Sequence, residues 1–234
     1  MLKIYAYECR RLMWNKFFPG IALVLLFYGW QILDRITILG VAHTAPFSAW
    51  SYGDYLGYML PLLWIGALFT LSFFTSGAEE RRRHLTSATP VKPSHYALAR
   101  CCAAMTATAV LSLEAVALAV VFYVHMFGGC DFGELVYPTL ITLIPTLVFA
   151  LGSGWILAGI RPWLLFVWML PPVVLAAIPL PEALGLLNGS LFETRALALG
   201  VLDPAFSLSF ATIAVQCALL LCGILLLILR PARH

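Results

Sequence analysis

Charged residues are scarce in this 234-residue sequence: Asp, Glu, Lys and Arg make up 11% of it, whereas hydrophobic residues make up 62%. Soluble domains carry about 25% charged residues, and a soluble chain of this length could not hide so much apolar surface from water. We therefore predict an integral membrane protein. Because a spanning helix needs about 20 apolar residues, the length leaves room for about six spans and for no large soluble domain.

Lysine is nearly absent, since Lys3, Lys16 and Lys92 are the only lysines in the chain. A phosphate-binding P-loop needs Gly-Lys-Ser/Thr at the start of a helix. None of the three lysines follows a glycine, so the chain cannot bind ATP in that way.

Histidine and cysteine are also sparse. The five histidines include no close pair at metal-ligand spacing, and among the six cysteines only Cys130 falls in a predicted outer loop. A structural or catalytic metal site needs several such ligands together, and a disulfide needs two cysteines on the oxidising side. We therefore expect no bound metal and no extracytoplasmic disulfide.

A complete catalytic constellation for intramembrane proteolysis is missing as well. The run EERRRH at residues 79–84 resembles the Glu-Glu-x-x-x-Arg signature of CAAX-type membrane proteases, but His84 takes the place of the arginine. Those enzymes also use histidines on later helices, where His125 is the only helical candidate. A protease of this type stays an alternative, as does a membrane adaptor that transports nothing.

Long apolar runs, in contrast, are abundant. The sixth begins after Asp203 and Pro204, which are predicted to cap and start its helix. Hydropathy predicts an all-α membrane domain over residues 1–234 with six spans, at 17–38, 55–75, 96–127, 134–160, 163–180 and 205–229.

The basic residues predict the orientation of these spans. Of the 14 Lys and Arg residues, all but Arg35 and Arg195 flank the same side. Cytoplasmic loops are enriched in Lys and Arg. We therefore predict a multi-pass protein of the plasma (inner) membrane with both termini in the cytoplasm, and with residues 128–133 and 181–203 outside.

Residues 1–16 are predicted to form an amphipathic helix that lies on the cytoplasmic membrane surface. The alternative is a charged lead-in to the first span. At 3.6 residues per turn, one face of the helix collects Leu2, Tyr5, Ala6, Cys9, Leu12 and Met13.

The connection at 181–203 is strongly apolar for an outer loop. Gly185 and Gly189 interrupt it, and it is too short for a spanning hairpin. Backbone groups at membrane depth need shielding by protein. We therefore predict a short re-entrant or interfacial segment between the fifth and sixth spans.

Glu114 is the ionisable residue that lies deep inside a predicted span, the third. A carboxylate in hydrocarbon is costly and usually faces the bundle interior or water. Glu114 is either a residue of the translocation path or a helix interface, or a purely structural glutamate. Gln216, in the sixth predicted span, is expected to form an interhelical hydrogen bond.

One concentrated polar segment, residues 76–93, separates the second and third predicted spans. Ser76 and Glu79 form a capping-box pattern, Arg81 to Arg83 follow, and Pro90 and Pro93 end the segment. This pattern predicts a short, charged helix on the cytoplasmic surface. A basic loop that only follows the positive-inside rule is the alternative.

The polar segment resembles that of ABC-2 type permeases, the membrane subunits of ABC exporters. The overall layout is similar too: an N-terminal cytoplasmic helix, six spans and an apolar outer stretch before the last span. Lysine is more usual at the position of Arg100. The matching residues are Gly77, Glu79 to Arg83, Thr89-Pro90-Val91 and Arg100.

This resemblance implies a non-catalytic subunit that pairs with a second copy or a related permease and binds two copies of a separate ATPase subunit. No cofactor is expected on this chain, and ATP and Mg²⁺ would be bound by the ATPase. The helix between spans two and three would act as a coupling helix in a cleft of the ATPase. The residues expected to contact the ATPase are Glu79, Glu80, Arg81, Arg82, Arg83 and Leu85.

Overall fold

The computed structural model describes residues 2–41, 44–75, 93–129, 131–199 and 204–229. Every regular element in these ranges is a helix. Two 3-10 turns, Thr37–Leu39 and Glu182–Leu187, accompany nine α-helices in the described ranges. The α-helices are α1 (Leu2–Met13), α2 (Phe17–Arg35), α3 (Ala49–Phe73), α4 (Pro93–Phe127), α5 (Phe132–Ile160), α6 (Leu164–Trp168), α7 (Leu170–Ala176), α8 (Ser190–Leu199) and α9 (Phe210–Ile228).

Five helical segments in the described residues are long and apolar enough to cross a membrane. This agrees with the predicted helical membrane protein. The five segments are Phe17–Leu39, Ala49–Phe73, His95–Phe127, Phe132–Ile160 and Phe210–Ile228.

The fifth predicted span, 163–180, instead forms the two short helices α6 and α7. Together they cover 164–176, which at 1.5 Å per residue is about 20 Å and is shorter than the hydrocarbon core of about 30 Å. Pro172 has no N–H to donate to the carbonyl of Trp168, and the Trp64 indole donates to that carbonyl instead at 3.0 Å. A full sixth span is therefore not confirmed.

α3 is the central helix of the bundle, because it contacts α2, α4, α5, α7 and α8. Its buried side chains include Tyr52, Tyr55 and Met59, which share one apolar core with residues of α2, α4 and α5. In contrast, only 28% of the α2 span and 17% of α9 are buried within the chain. α2 and α9 therefore form the periphery of the bundle.

α5 and α9 pack backbone to backbone at a pair of glycines. A Cβ added to Gly152 would lie 2.4 Å from the carbonyl oxygen of Gly223, and one added to Gly223 would lie 2.7 Å from the nitrogen of Phe149. Small residues allow such close approach between membrane helices. The two helices run in the same direction, because Tyr137 near the start of α5 contacts Phe206 just before α9.

The segment predicted to lie outside, of which residues 181–199 are described, packs against α3. A Cβ added to Gly53 would overlap the Phe192 ring at 2.1 Å, and one added to Gly57 would lie 2.4 Å from Gly189 Cα. Asn188 donates hydrogen bonds to backbone carbonyls at the end of α7 and just beyond it. The described part of the predicted 181–203 segment is thus mostly helical, and one side of it is buried against α3.

The predicted start of the last helix is wrong. α9 begins at Phe210, and the Ser209 hydroxyl caps it by accepting a hydrogen bond from the Thr212 N–H at 3.3 Å. Pro204 lies in a non-helical stretch before the helix, where its carbonyl accepts a hydrogen bond from the Trp50 indole at 2.7 Å. This long-range bond holds Pro204 outside the helix.

Candidate functional site

The residues predicted to contact an ATPase, Glu79 to Arg83 and Leu85, lie outside the described residues. The described chain stops at Thr75, two residues after α3, and resumes at Pro93, the first residue of α4.

Glu8, on α1, lies beside the start of α4 and is completely buried, with 0% of it exposed. Its carboxylate accepts a hydrogen bond from the Tyr96 phenol at 2.6 Å and one from the Arg11 guanidinium at 3.1 Å. Arg100 Nε lies 3.6 Å from the same carboxylate. A buried carboxylate needs such opposite charges and donors, since burial without them would cost several kcal/mol.

Arg100 and Arg11 extend this cluster to the end of α3. The Arg100 guanidinium lies 5.6 Å from the ring centre of Phe74 and 4.2 Å from that of Tyr96, and the Arg11 guanidinium lies 5.0 Å from the ring centre of Phe73. Cations over aromatic faces at these distances attract the rings. We name Glu8, Arg11, Tyr96 and Arg100 the Glu8 cluster.

A second polar contact fixes α1 along α4. The Tyr5 phenol and the Thr106 hydroxyl are 2.7 Å apart and share a hydrogen bond. Tyr5 comes before Glu8, whereas its partner Thr106 comes after Tyr96, so α1 and α4 run in opposed directions across the contact. The N-terminal helix is therefore attached to the bundle by specific contacts.

The buried line of α1 differs from the predicted apolar face. Glu8 and Leu12 are its buried residues, whereas Leu2 of the predicted face is 82% exposed. Glu8 was not singled out by the sequence analysis. A signal was present, because Glu8 is the acidic residue of a basic helix and stands three positions from both Tyr5 and Arg11, which places it beside them on the helix.

Glu114 lies on α4, well away from the Glu8 cluster. It is partly buried, and its neighbours are the exposed Leu113 and the fully buried Ala115, so it stands at the edge of the packed face. The carbonyl of Ala115 accepts a hydrogen bond from Tyr55 of α3 at 2.9 Å. Glu114 stands fourteen helical residues after Arg100, which corresponds to about 20 Å. Glu114 and Arg100 therefore do not share a site.

Gln216 differs from its prediction. It is fully buried on α9, yet within the described ranges neither its amide nitrogen nor its oxygen has a hydrogen-bond partner. Gln216 stands seven residues before Gly223, and Pro145 stands seven residues before Gly152. Because the two helices run in the same direction, the Gly152–Gly223 contact places Gln216 beside the part of α5 that carries Thr142, Pro145 and Thr146. The hydroxyls of these two threonines are also buried without a partner in the described chain. The predicted interhelical hydrogen bond is therefore not formed.

The described residues contain no group of three or more His, Cys, Asp or Glu side chains that could hold a metal ion. No family model matches the chain, and no curated protein and no solved structure is similar to it. The Glu8 cluster, with the end of α3 and the start of α4 beside it, is the candidate functional site.

Proposed function

We propose that the chain is the permease subunit of an ATP-binding cassette exporter of the ABC-2 type. It moves a hydrophobic or amphipathic substrate out of the cytoplasm by alternating access, driven by a separate ATPase subunit. A second permease, of the same or a related sequence, and two ATPase subunits complete the transporter. The sequence resemblance of residues 76–100 and the helical membrane architecture support this proposal.

The observation that carries the proposal is the location of the Glu8 cluster. Phe73 and Phe74 precede the segment 76–92 and contact Arg11 and Arg100, while Tyr96 follows the segment and hydrogen-bonds Glu8. Three helices, α1, α3 and α4, therefore meet where α3 ends and α4 begins. A push on the segment would reach all three helices through buried contacts, as a coupling segment requires.

The remaining features of the transporter follow the same proposal. Both termini are cytoplasmic, the membrane is the plasma membrane, residues 163–180 make the fifth pass, and residues 181–203 form the outer re-entrant segment. Glu79 to Arg83 and Leu85 contact the ATPase, and Glu114 lines the translocation path or a helix interface.

The protease alternative receives no support from the position of His125. About 32 residues of α4 separate it from Pro93, which is about 48 Å. His84 stands nine residues before Pro93, and even a fully extended chain of that length spans only about 32 Å. The length of the chain therefore keeps the two histidines at least about 15 Å apart. They cannot bind the same metal ion or act on the same scissile bond.

A photo-crosslinking experiment in cells tests the proposed function. A photoreactive residue at Leu85 is expected to crosslink to a P-loop ATPase, and the same residue at Gly129, in the predicted outer loop, is not. The purified pair is then expected to hydrolyse ATP and to move substrate in vesicles. Crosslinks from Leu85 to lipid alone would contradict the coupling role.

A further inference from the structure

An apolar groove lies between the start of α2 and the end of α3. Its volume is about 290 Å³ and nearly all of its surface is apolar. It extends along α2 from Lys16 to Val24, which is about 12 Å. Its walls include Phe17, Gly20 and Val24 from α2, and Leu62, Gly66 and Phe69 from α3.

Gly20 leaves open space in this groove, because a Cβ added there would meet no atom within 4 Å. Gly66, on the opposite wall, packs closely on α4, since a Cβ added there would lie 3.1 Å from a Leu111 methyl group. Phe17 and Val24 at the groove edge are 53% and 54% exposed. Since this groove belongs to two spans, its opening faces the hydrocarbon of the bilayer rather than water.

Lys16 stands at one end of the groove. Its ammonium group lies 5.6 Å from the centre of the Phe17 ring, and that ring packs edge-on against Phe69 at 6.0 Å. The side chain is exposed, and no described carboxylate pairs with it. Because Lys16 directly precedes the first residue of α2, its charge lies at the membrane surface, where headgroups are.

We propose that this groove is a binding site for one anionic phospholipid, whose acyl chain fills the groove and whose phosphate pairs with Lys16. The apolar lining matches a hydrocarbon chain, and the ammonium at its end matches a negatively charged headgroup. A helix of a second copy of this chain is the other occupant that would cover the lining, and the test below distinguishes it from lipid. The proposal depends neither on transport nor on which face of the membrane Lys16 occupies.

The test measures lipid binding by the purified, delipidated protein in detergent, with fluorescent phosphatidylglycerol and fluorescent phosphatidylcholine as probes. One basic residue near the surface contributes about 1 kcal/mol toward anionic lipid, which predicts about fivefold tighter binding of phosphatidylglycerol. Lys16→Gln is expected to abolish this preference, whereas Lys3→Gln, a cation on α1 outside the groove, leaves it intact.

Filling the groove provides the second arm. Gly20→Leu is expected to weaken the binding of both lipids at least fivefold. Gly129→Leu is its matched control, since a Cβ at Gly129 also meets no atom within 4 Å and the residue lies outside the groove. Unchanged lipid affinity in Gly20→Leu would overturn the proposal. So would a loss of self-association in that variant without a change in lipid affinity, because a second copy would then cover the groove.

Discussion

The Glu8 carboxylate and the Tyr96 phenol are joined by a hydrogen bond of 2.6 Å across 88 positions of sequence. This bond attaches the N-terminal helix to the first turns of α4. Arg100, one turn after Tyr96, lies against the same carboxylate and against Phe74. One buried carboxylate thus joins α1 to the two helices that flank the proposed coupling segment.

Replacing Glu8 by leucine is expected to destabilise the protein by about 3–5 kcal/mol, because it removes the carboxylate partner of two arginines at a buried position. For a chain of this size that loss corresponds to a fall in melting temperature of at least about 6 °C, measured by thermal unfolding in detergent. The melting temperature of Glu8→Gln, which keeps an acceptor for Tyr96, should fall less. Glu134→Leu removes an exposed carboxylate on α5 and should change little. Equal effects at both positions would contradict a special role for Glu8.

Replacing Glu79 to Arg83 by alanine is expected to release the ATPase subunit or to uncouple ATP hydrolysis from export. Truncation of a buried, hydrogen-bonded interface charge typically costs about 2–5 kcal/mol of binding. A pull-down of the ATPase, with parallel hydrolysis and export assays, measures the effect, and membrane insertion should be unchanged. A variant with Lys3 and Arg10 replaced by alanine controls for the loss of basic charge elsewhere. Full, coupled export by the variant with alanines at Glu79 to Arg83 would make the segment an ordinary basic loop.

Glu114→Leu is expected to impair export or assembly of the transporter. The carboxylate stands at the edge of the packed face of α4 and forms no hydrogen bond or ion pair with another described residue, so its partner would be water, substrate or another subunit. Export from vesicles and the mass of the complex in detergent give the two readouts. Leu113→Ala, at the exposed neighbouring position, is the control. Wild-type behaviour of Glu114→Leu in both assays would leave Glu114 without a functional role.

Gln216→Leu is expected to raise the melting temperature. Burying an amide without a hydrogen bond costs free energy, about 1–3 kcal/mol by protein mutational data, and leucine removes this cost at a similar volume. Gln31→Leu is the control, because Gln31 of α2 is exposed in the folded bundle. A lower melting temperature in Gln216→Leu would mean that the amide is satisfied, by Thr142 or Thr146 or by water.

The orientation of the chain can be measured by cysteine labelling in intact cells, in a background without native cysteines. A membrane-impermeant reagent is expected to label a cysteine placed at Gly129 and not one placed at Ser87. The positive charges near the span ends set this expectation. Labelling of Ser87→Cys alone would show that the orientation is the opposite of the predicted one.

The sequence predicted the helices best where local signals were sufficient. Hydropathy placed the first span at 17–38, and the structure has Phe17–Leu39. The second span begins earlier than predicted, at Ala49, where the Ser48 hydroxyl caps the helix by accepting a hydrogen bond from the Ser51 N–H, and the polar side chains of Ser51 and Asp54 are buried. Ser51 hydrogen-bonds residues close to it in sequence, such as Ala45 and Val41. Asp54 lies instead beside Gly189, where an added Cβ would be 3.4 Å from the Asp54 carboxylate, and this distant contact has no signal in the local hydropathy.

The candidate site could be predicted only in part, for the same reason. The charged segment 76–93 was visible in the sequence, since its charges are consecutive. The Glu8 cluster was not, because two of its members, Tyr96 and Arg100, come from α4, about 90 residues away, and only Arg11 is a local partner. Pro171 and Pro172 were a local signal that the helix of the fifth predicted span is interrupted. The carbonyl left without a backbone donor is hydrogen-bonded by Trp64 of α3, a distant contact that the local sequence does not indicate.

The close contact between Gly152 and Gly223 also restricts the path of the chain through the bilayer. α5 and α9 lie side by side and point the same way, so α5 ends at the membrane face opposite to the one where α9 begins. If both helices cross the bilayer, residues 161–209 have to bring the chain back through its whole thickness. The short helices α6 and α7 cover about 20 Å of that return, and the outer segment packed on α3 has to supply the rest. A deletion within 177–189 would therefore strain the return path itself, not merely shorten a surface loop.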